Sequence, residues 1–239
     1  MVRPQVAVPA AEAGFAGEAG RRSQGYWLLS RLFLELPTPA RLAELRDALA
    51  ATGSDADPFR DDTALLRNAV GAALAAPDAA AVEFTRRFVT MPKDCREPLP
   101  FESHVREDRL PGEATEQVRL LAAAWGYGDV APDSGSPDHL GAELRLMALL
   151  CLEEREAWLG DDRLRAVESL RRQKQFLDTH LARWAPGYCA ELASRSGNEY
   201  MQAIARITAS AVTADVGALE AIFKLVDADR APRPAAAGR

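Results

Sequence analysis

Apolar residues recur at steps of three and four along most of the chain, which is the spacing of one face of an α-helix. Between residues 26 and 36, for example, Tyr26, Leu29 and Phe33 follow this spacing, while Arg31 and Glu35 fall between them. No segment shows the sustained alternation of apolar and polar residues that is typical of a strand. The pattern predicts an all-α fold, a single bundle of about nine to twelve helices. Helices are predicted over residues 26–36, 42–49, 61–73, 77–89, 113–125, 138–159, 164–184 and 198–226.

One predicted helix is apolar on every side. Its run from Leu146 to Leu152 consists of Leu, Met, Ala and Cys alone. Such a helix is usually surrounded by others, so we expect 138–159 to lie at the centre of the bundle. The run is much shorter than the roughly 20 apolar residues that a membrane-spanning helix needs.

Three stretches rich in small residues, Gly and Pro mark the limits of the helical part. Residues 1–22 are predicted to be a flexible N-terminal tail and residues 229–239 a flexible C-terminal tail, which leaves an all-helical domain over 23–228. Residues 126–137, rich in Gly, Pro, Asp and Ser, are the best candidate for a hinge. Two lobes joined by this hinge are the alternative to one bundle.

The composition is that of an acidic domain with a substantial core. The chain has 239 residues, of which 48% are hydrophobic, and a formal net charge of −6. An acidic balance argues against sequence-independent nucleic-acid binding, which requires clustered Lys and Arg. The absence of a basic helix after a short turn argues against a helical DNA-binding regulator. The acidic balance permits a basic partner, because an acidic surface speeds the encounter with cations.

The cysteines and the export signals both point to the cytoplasm. Cys95, Cys151 and Cys189 are far apart and odd in number, which favours small core residues in a reducing compartment over a disulfide framework. The Arg21–Arg22 pair resembles the start of a twin-arginine export signal, but charged residues soon interrupt the apolar stretch that follows it. We therefore expect a cytoplasmic protein.

Residues that could carry catalysis do not form a recognised pattern. His139 and Glu143 lie four residues apart on one predicted helix, but a catalytic zinc ion requires three protein ligands. Ser103 and His104 are adjacent, and side chains of neighbouring residues point in different directions, so they do not make a triad. The sequence has no phosphate-binding G-x-x-x-x-G-K-[ST] loop. We expect no enzyme activity, no metal and no cofactor.

Two stretches place acidic groups beside apolar or aromatic side chains at predicted helix starts. Phe101, Glu102 and Ser103 follow a proline-rich loop, and Asp138 and His139 follow the candidate hinge. One interpretation is helix capping, with Asp138 as an N-cap and Glu102 as a first-turn acid. The other is a groove that binds a polypeptide. The spacing alone leaves both open.

Several segments, in order, resemble the TorD/DmsD/NarJ family of redox-enzyme maturation chaperones. The resemblance covers roughly residues 24 to 226 and includes a P-x-E-S stretch and a P-D-H…E-L stretch. The matching segments are Tyr26–Phe33, Val82–Phe88, Pro100–Ser103, Pro137–Leu144, and Phe176–Leu181 with Trp184.

This resemblance implies a chaperone that binds the twin-arginine signal peptide of a molybdenum oxidoreductase of the dimethyl-sulfoxide-reductase type. Such chaperones hold the enzyme in the cytoplasm until its molybdopterin cofactor is inserted. The implied peptide-binding residues are those of the two stretches, and nearby aromatic side chains are candidates to bind the apolar part of the peptide. The candidate set is Phe101, Glu102, Ser103, Asp138, His139, Glu143, Trp125 and Tyr127.

The resemblance leaves two further points open. Some members of the family are reported to bind guanine nucleotide, so a nucleotide-binding maturation factor, or another non-catalytic helical interaction protein, is the alternative. The chain is expected to be a monomer, or a dimer that exchanges helices through the 126–137 hinge.

Overall fold

The computed structural model describes residues 10–51, 59–90, 99–128 and 130–230, with side chains described between residues 12 and 226 of these ranges. Every regular element in them is helical, so the all-α prediction is confirmed. Two π-helical segments, Thr85–Val89 and Leu177–Leu181, follow α4 and α8, and a 3-10 turn lies at Pro132–Ser134. The α-helices are α1 (Ala10–Leu34), α2 (Pro39–Ala51), α3 (Arg60–Ala75), α4 (Pro77–Phe84), α5 (Glu102–Glu107), α6 (Glu113–Ala124), α7 (Leu140–Leu159), α8 (Arg163–Phe176), α9 (Ala182–Arg195) and α10 (Glu199–Arg230).

Helix α7 is the most buried helix, as its apolar sequence predicts. Leu140, Leu144, Met147 and Leu150 are fully buried, and α7 packs against both α1 and α8. Burial of each such side chain contributes about 1.5–3 kcal/mol, so α7 supplies much of the core. Across the described ranges, no helix combines the length and the apolar character needed to cross a membrane.

The core is continuous from α1 to α10, which favours one bundle over two lobes. Phe33 and Val70, before the candidate hinge, belong to the same core as Ile204, after it. Within the candidate hinge, Gly126 and Gly135 have φ angles of 85° and 75°, in the left-handed region that glycine adopts without strain. The segment is therefore a turning connection on a shared core, and exchange of helices through it stays a prediction.

The predicted N-terminal tail is wrong for residues 10–22, which form the first part of α1. The Ala-rich composition that suggested disorder also has a high helix propensity. Ala16 and Ala19 are buried, and a Cβ atom at Gly20 would lie 3.0 Å from the Arg155 side chain, so small residues let α1 approach the core closely. Residues 1–9 and 231–239 lie outside the described part of the chain, and α10 includes residues 229 and 230 of the predicted C-terminal tail.

A buried ion-pair network fixes α1 to the core. The Arg22 guanidinium donates to both carboxylate oxygens of Asp215, from Nε at 2.6 Å and from Nη2 at 2.9 Å, and to Glu154 at 3.3 Å. The Tyr26 hydroxyl also donates to Asp215, at 2.7 Å. The network therefore ties α1 to α7 and α10, and one arginine of the Arg21–Arg22 pair is an interior residue.

Two of the three cysteines lie in the described residues, and both behave as core residues. Cys151 and Cys189 are fully buried and form no disulfide. Burial raises the pKa of both thiols, which keeps them protonated and unreactive. The interpretation as small core residues is confirmed for these two, and Cys95 lies outside the described residues.

Replacing Arg22 with Ala should lower the free energy of unfolding by about 3–5 kcal/mol, because Asp215 and Glu154 then remain buried without their cation. Arg21 provides the matched control: its side chain is 71% exposed and pairs with Glu18 at the surface. Arg21→Ala should therefore change the free energy by no more than about 0.5 kcal/mol. Urea denaturation followed by circular dichroism measures both. Equal losses for the two variants would contradict the role of the network.

Candidate functional site

Two short segments, one leading into α5 and one leading into α7, lie side by side. The Glu102 N–H donates to the Asp138 carbonyl oxygen at 2.9 Å, and the Leu140 N–H donates to the Pro100 carbonyl oxygen at 2.8 Å. These bonds flank a single antiparallel β-bridge. The backbone thus joins the two stretches that the sequence analysis selects.

The side chains of this junction cap the two helices. Asp138 Oδ2 accepts a hydrogen bond from the Ser103 N–H at 3.0 Å, and its Oδ1 accepts one from the Ser136 hydroxyl. His139 Nδ1 accepts from the Gly141 N–H at 3.1 Å and is the N-cap of α7. The prediction that Asp138 caps this helix is therefore wrong: its carboxylate serves the start of α5, across the junction.

Phe101 and His139 pack together in the interior. Their rings meet edge to face with centroids 5.1 Å apart, and each residue is about 2% exposed. Burial lowers the pKa of His139 to about 4, although the Asp138 charge opposes the shift. The ring is therefore neutral at pH 7, which leaves Nδ1 free of a proton to accept the capping bond.

Glu102 is fully buried and has two cationic or titratable partners. Its Oε2 lies 2.7 Å from His180 Nδ1, and its Oε1 accepts a hydrogen bond from Arg106. His180 comes from the π-helical segment Leu177–Leu181, a distortion that is frequent at functional sites. His180 was not among the predicted site residues, although it belongs to one of the segments that carry the family resemblance.

Glu143, on the first turn of α7, is also fully buried. Its Oε2 accepts a hydrogen bond from the Trp184 Nε1–H at 3.0 Å. Its Oε1 accepts no hydrogen bond from the described residues. Burial, together with the nearby charge of Glu102, raises the pKa of Glu143 well above its usual value. The raised pKa favours the neutral, protonated form of Glu143 beside Glu102.

The carboxylates of this cluster, defined as Glu102, Asp138 and Glu143, do not line an open groove. All three are 0% exposed, and their partners are a backbone N–H group, buried side chains and, for Glu102, the partly exposed Arg106. The expectation that these acids form the wall of an open peptide groove is therefore corrected. A carboxylate that is removed from water requires hydrogen-bond donors, and the junction supplies them. Peptide contact by the buried set of Phe101, Glu102, Ser103, Asp138, His139 and Glu143 stays a prediction.

Trp125 and Tyr127, in contrast, reach the surface. They line an open cavity of about 400 Å³ between the end of α6 and the middle of α7. The Tyr127 hydroxyl donates to Glu153 at 3.1 Å, and Arg165 donates to the same carboxylate at 3.1 Å. We call this cavity the α6–α7 recess; its lining is Trp125, Gly126, Tyr127, Leu149, Leu152, Glu153, Glu156 and Arg165.

The sequence analysis missed the part of the recess that α7 contributes. Leu149, Leu152, Glu153 and Glu156 recur at steps of three and four and so share one face of α7. Leu152 is 41% exposed, although most residues of α7 are buried. The spacing of these four residues could have indicated an exposed face of α7, but the apolar run from Leu146 to Leu152 concealed it.

Ring contacts connect the recess to the carboxylate cluster. Trp125 meets Phe176 with ring centroids 6.2 Å apart, and Phe176 stacks on His180 at 5.4 Å. His180 in turn contacts Glu102. The aromatic residues and the acids of the candidate set are therefore linked, although they do not share one cavity.

In the described ranges, no three side chains among His, Cys, Asp and Glu converge in a way that could hold a metal ion. The His139 and Glu143 pair, spaced for a shared ion, is used otherwise. His139 Nδ1 caps α7, and Glu143 bonds Trp184.

The sequence profile of the nitrate reductase delta subunit family matches residues 40–190. This match spans more than half of the chain and includes the junction, the recess and His180. The chain belongs to the nitrate reductase delta subunit family. Members of this family are maturation chaperones of molybdoenzymes and partner a molybdoenzyme subunit, and the resemblance to the TorD/NarJ group is confirmed. No curated protein matches the chain significantly.

The raised pKa of Glu143 predicts a pH dependence of stability. Below about pH 4.5, Glu143 is protonated in both states. As the pH rises, the unfolded chain loses this proton first, so the folded protein is progressively destabilised until the pH passes the folded-state pKa. Glu143→Gln removes this titration but keeps a donor for Glu102. The variant should therefore gain stability relative to wild type by up to about 1.4 kcal/mol per pH unit above that point.

Urea denaturation of both proteins between about pH 4.5 and 7.5 measures this difference. The other titratable side chains of the junction are the same in both proteins, so the comparison isolates the substitution at position 143. Glu156→Gln, at a carboxylate whose side chain is 53% exposed, is the control and should leave the pH dependence unchanged. A difference between Glu143→Gln and wild type that does not vary with pH would contradict the raised pKa of Glu143.

Proposed function

We propose that this chain is a cytoplasmic chaperone that binds the twin-arginine signal peptide of a molybdenum oxidoreductase of the dimethyl-sulfoxide-reductase type. It assists insertion of the molybdopterin cofactor and holds the enzyme back from export until it is mature. Membership of a family of molybdoenzyme maturation chaperones supports the class of client. Features of the protein surface support the more detailed part of the proposal, which is binding of the leader peptide.

The observation that carries the proposal is the α6–α7 recess. A twin-arginine leader has two arginines followed by an apolar stretch, so its receptor needs an apolar surface next to carboxylates. Trp125, Leu149 and Leu152 supply the apolar surface. Glu153 and Glu156 supply the carboxylates, which in the free protein pair with Arg165 and Arg155 and would exchange these partners for the leader's arginines. A volume of about 400 Å³ is in the range of pockets that bind ligands.

A second surface cavity fits this leader less well. It measures about 510 Å³, lies between α8 and α10, and includes Arg171, Lys174 and Lys224. Asp178 and Glu220 offset part of this charge. Three cations around one cavity disfavour a partner that itself carries two arginines.

Binding is expected to depend mainly on the apolar part of the leader. Exposed carboxylate–arginine pairs contribute only about 0–1 kcal/mol each, because water and salt screen them. Burial of apolar side chains in the recess contributes more, at roughly 25 cal/mol per Å². The acids then orient the peptide, in the manner of an amphipathic helix held in a groove. A leader held in this way is withdrawn from the export machinery.

Leu152→Ser should weaken binding of an Arg-Arg leader peptide, a synthetic peptide with Arg-Arg followed by an apolar stretch, by about five- to twentyfold, or roughly 1–2 kcal/mol. Leu164→Ser is the matched control. Leu164 is 86% exposed and lies at the start of α8, outside the recess lining. Its replacement should leave the affinity unchanged. Isothermal titration calorimetry measures both.

Two outcomes would contradict the proposal. One is absence of binding of the Arg-Arg leader peptide to the wild-type protein. The other is an equal loss of affinity in the two variants, since the leader would then lie elsewhere.

A further inference from the structure

Arg106 reaches from the surface into the buried carboxylate cluster. Its side chain is 36% exposed, yet its Nη1 donates to the fully buried Oε1 of Glu102. The same nitrogen donates to the Thr179 carbonyl oxygen at 3.3 Å. The guanidinium thus closes the approach to a carboxylate that is otherwise enclosed by His180 and Glu143.

The interior side of this contact has spare acceptor capacity. Glu143 Oε1 is buried and accepts no hydrogen bond from the described residues, and the carboxyl lies beside Glu102. The raised pKa of Glu143 keeps its carboxyl neutral beside Glu102, so the anionic acceptor at this point is Glu102. A carboxylate has about four lone-pair positions, and Arg106 uses one of them with a single nitrogen while His180 faces the other oxygen, so Glu102 can accept further N–H donors.

We infer that Glu102, with Glu143 behind it, is a guanidinium-binding site that the chain's own Arg106 occupies in the free protein. An arginine of the client leader takes this position when Arg106 is displaced. The identity of the outside arginine rests on the proposed function; the site itself rests on the contacts of Arg106, Glu102 and Glu143.

The chemistry of the site selects arginine over lysine. A planar guanidinium presents parallel N–H donors that match carboxylate oxygens, whereas an ammonium group is a compact and strongly hydrated charge. Exchange of one guanidinium for another keeps Glu102 paired throughout. Because Glu102 is already dehydrated in the folded protein, an incoming arginine does not have to remove another carboxylate from water.

Occupation by Arg106 makes leader binding competitive. The free protein keeps its buried charge compensated, and a leader gains the site only where its apolar part also binds nearby. The ring contacts from Trp125 through Phe176 to His180 place the recess and this site within one connected region. Arg106 therefore outcompetes peptides that have arginines but no apolar stretch.

The first test uses arginine amide as the probe and requires no client. Removal of Arg106 in Arg106→Ala should open the site, so arginine amide should raise its melting temperature while lysine amide at equal concentration should not. Wild type, whose site is filled, should respond to the two amides equally. Arg109→Ala, at an exposed arginine of the same segment, is the matched control and should behave as wild type.

Arg106→Gln provides the same test if the alanine variant does not fold. Adding Glu102→Gln to either variant should abolish the response to arginine amide, because the acceptor is then neutral. An equal response of Arg106→Ala, Arg106→Gln and wild type to arginine amide would overturn the inference.

The second test measures the affinity of the Arg-Arg leader peptide by calorimetry. Arg106→Ala should bind it more tightly than wild type, by about tenfold, and should show no gain for a Lys-Lys version of the peptide. If the peptide fails to bind either protein while arginine amide still stabilises Arg106→Ala, the proposed function fails and the guanidinium site stands. If the peptide binds both proteins equally, the inference fails and the proposed function stands.

Discussion

Carboxylates that leave water must find donors, and this requirement organises the junction of α5, α7 and α9. Asp138 caps α5 from across the junction, Glu102 pairs with His180 and Arg106, and Glu143 bonds Trp184. These bonds hold two loop segments, distant in sequence, against the central helix. The acidic residues of these two segments are thus first of all the interior supports of the surface around them.

The same requirement separates the surface groups of this protein, which can contact a partner, from the buried acids, which stabilise the fold. The aromatic and apolar groups of the α6–α7 recess reach the surface, whereas the buried acids do not, and of these acids Glu102 contacts the partly exposed Arg106. Under the proposed function, a chaperone that binds a leader benefits from this division. The apolar surface supplies affinity, and a closed, desolvated carboxylate can discriminate arginine from lysine more sharply than an exposed one.

Periodicity predicted the helices and the central position of α7, because it reports which face of a helix avoids water. It could not predict how polar side chains orient. Asp138 looked like the cap of its own helix, but its Oδ2 accepts a hydrogen bond from a helix that begins 36 positions earlier in the chain. Arg22 looked like part of a tail, and its partner Asp215 is 193 positions away. Sequence spacing holds no information on such long-range pairs. The face of α7 that lines the recess was concealed because its leucines belong to the apolar run and its acids follow that run directly.

The central claim is that the apolar part of a molybdoenzyme leader binds beside Trp125 and Leu152. An Arg-Arg leader peptide that carries a photoreactive residue in its apolar stretch tests this claim most directly, with the cross-linked residues identified by mass spectrometry. The account predicts cross-links to the end of α6 and to the Leu149–Glu156 face of α7. Cross-links concentrated at Phe223 and the α8–α10 cavity would contradict it.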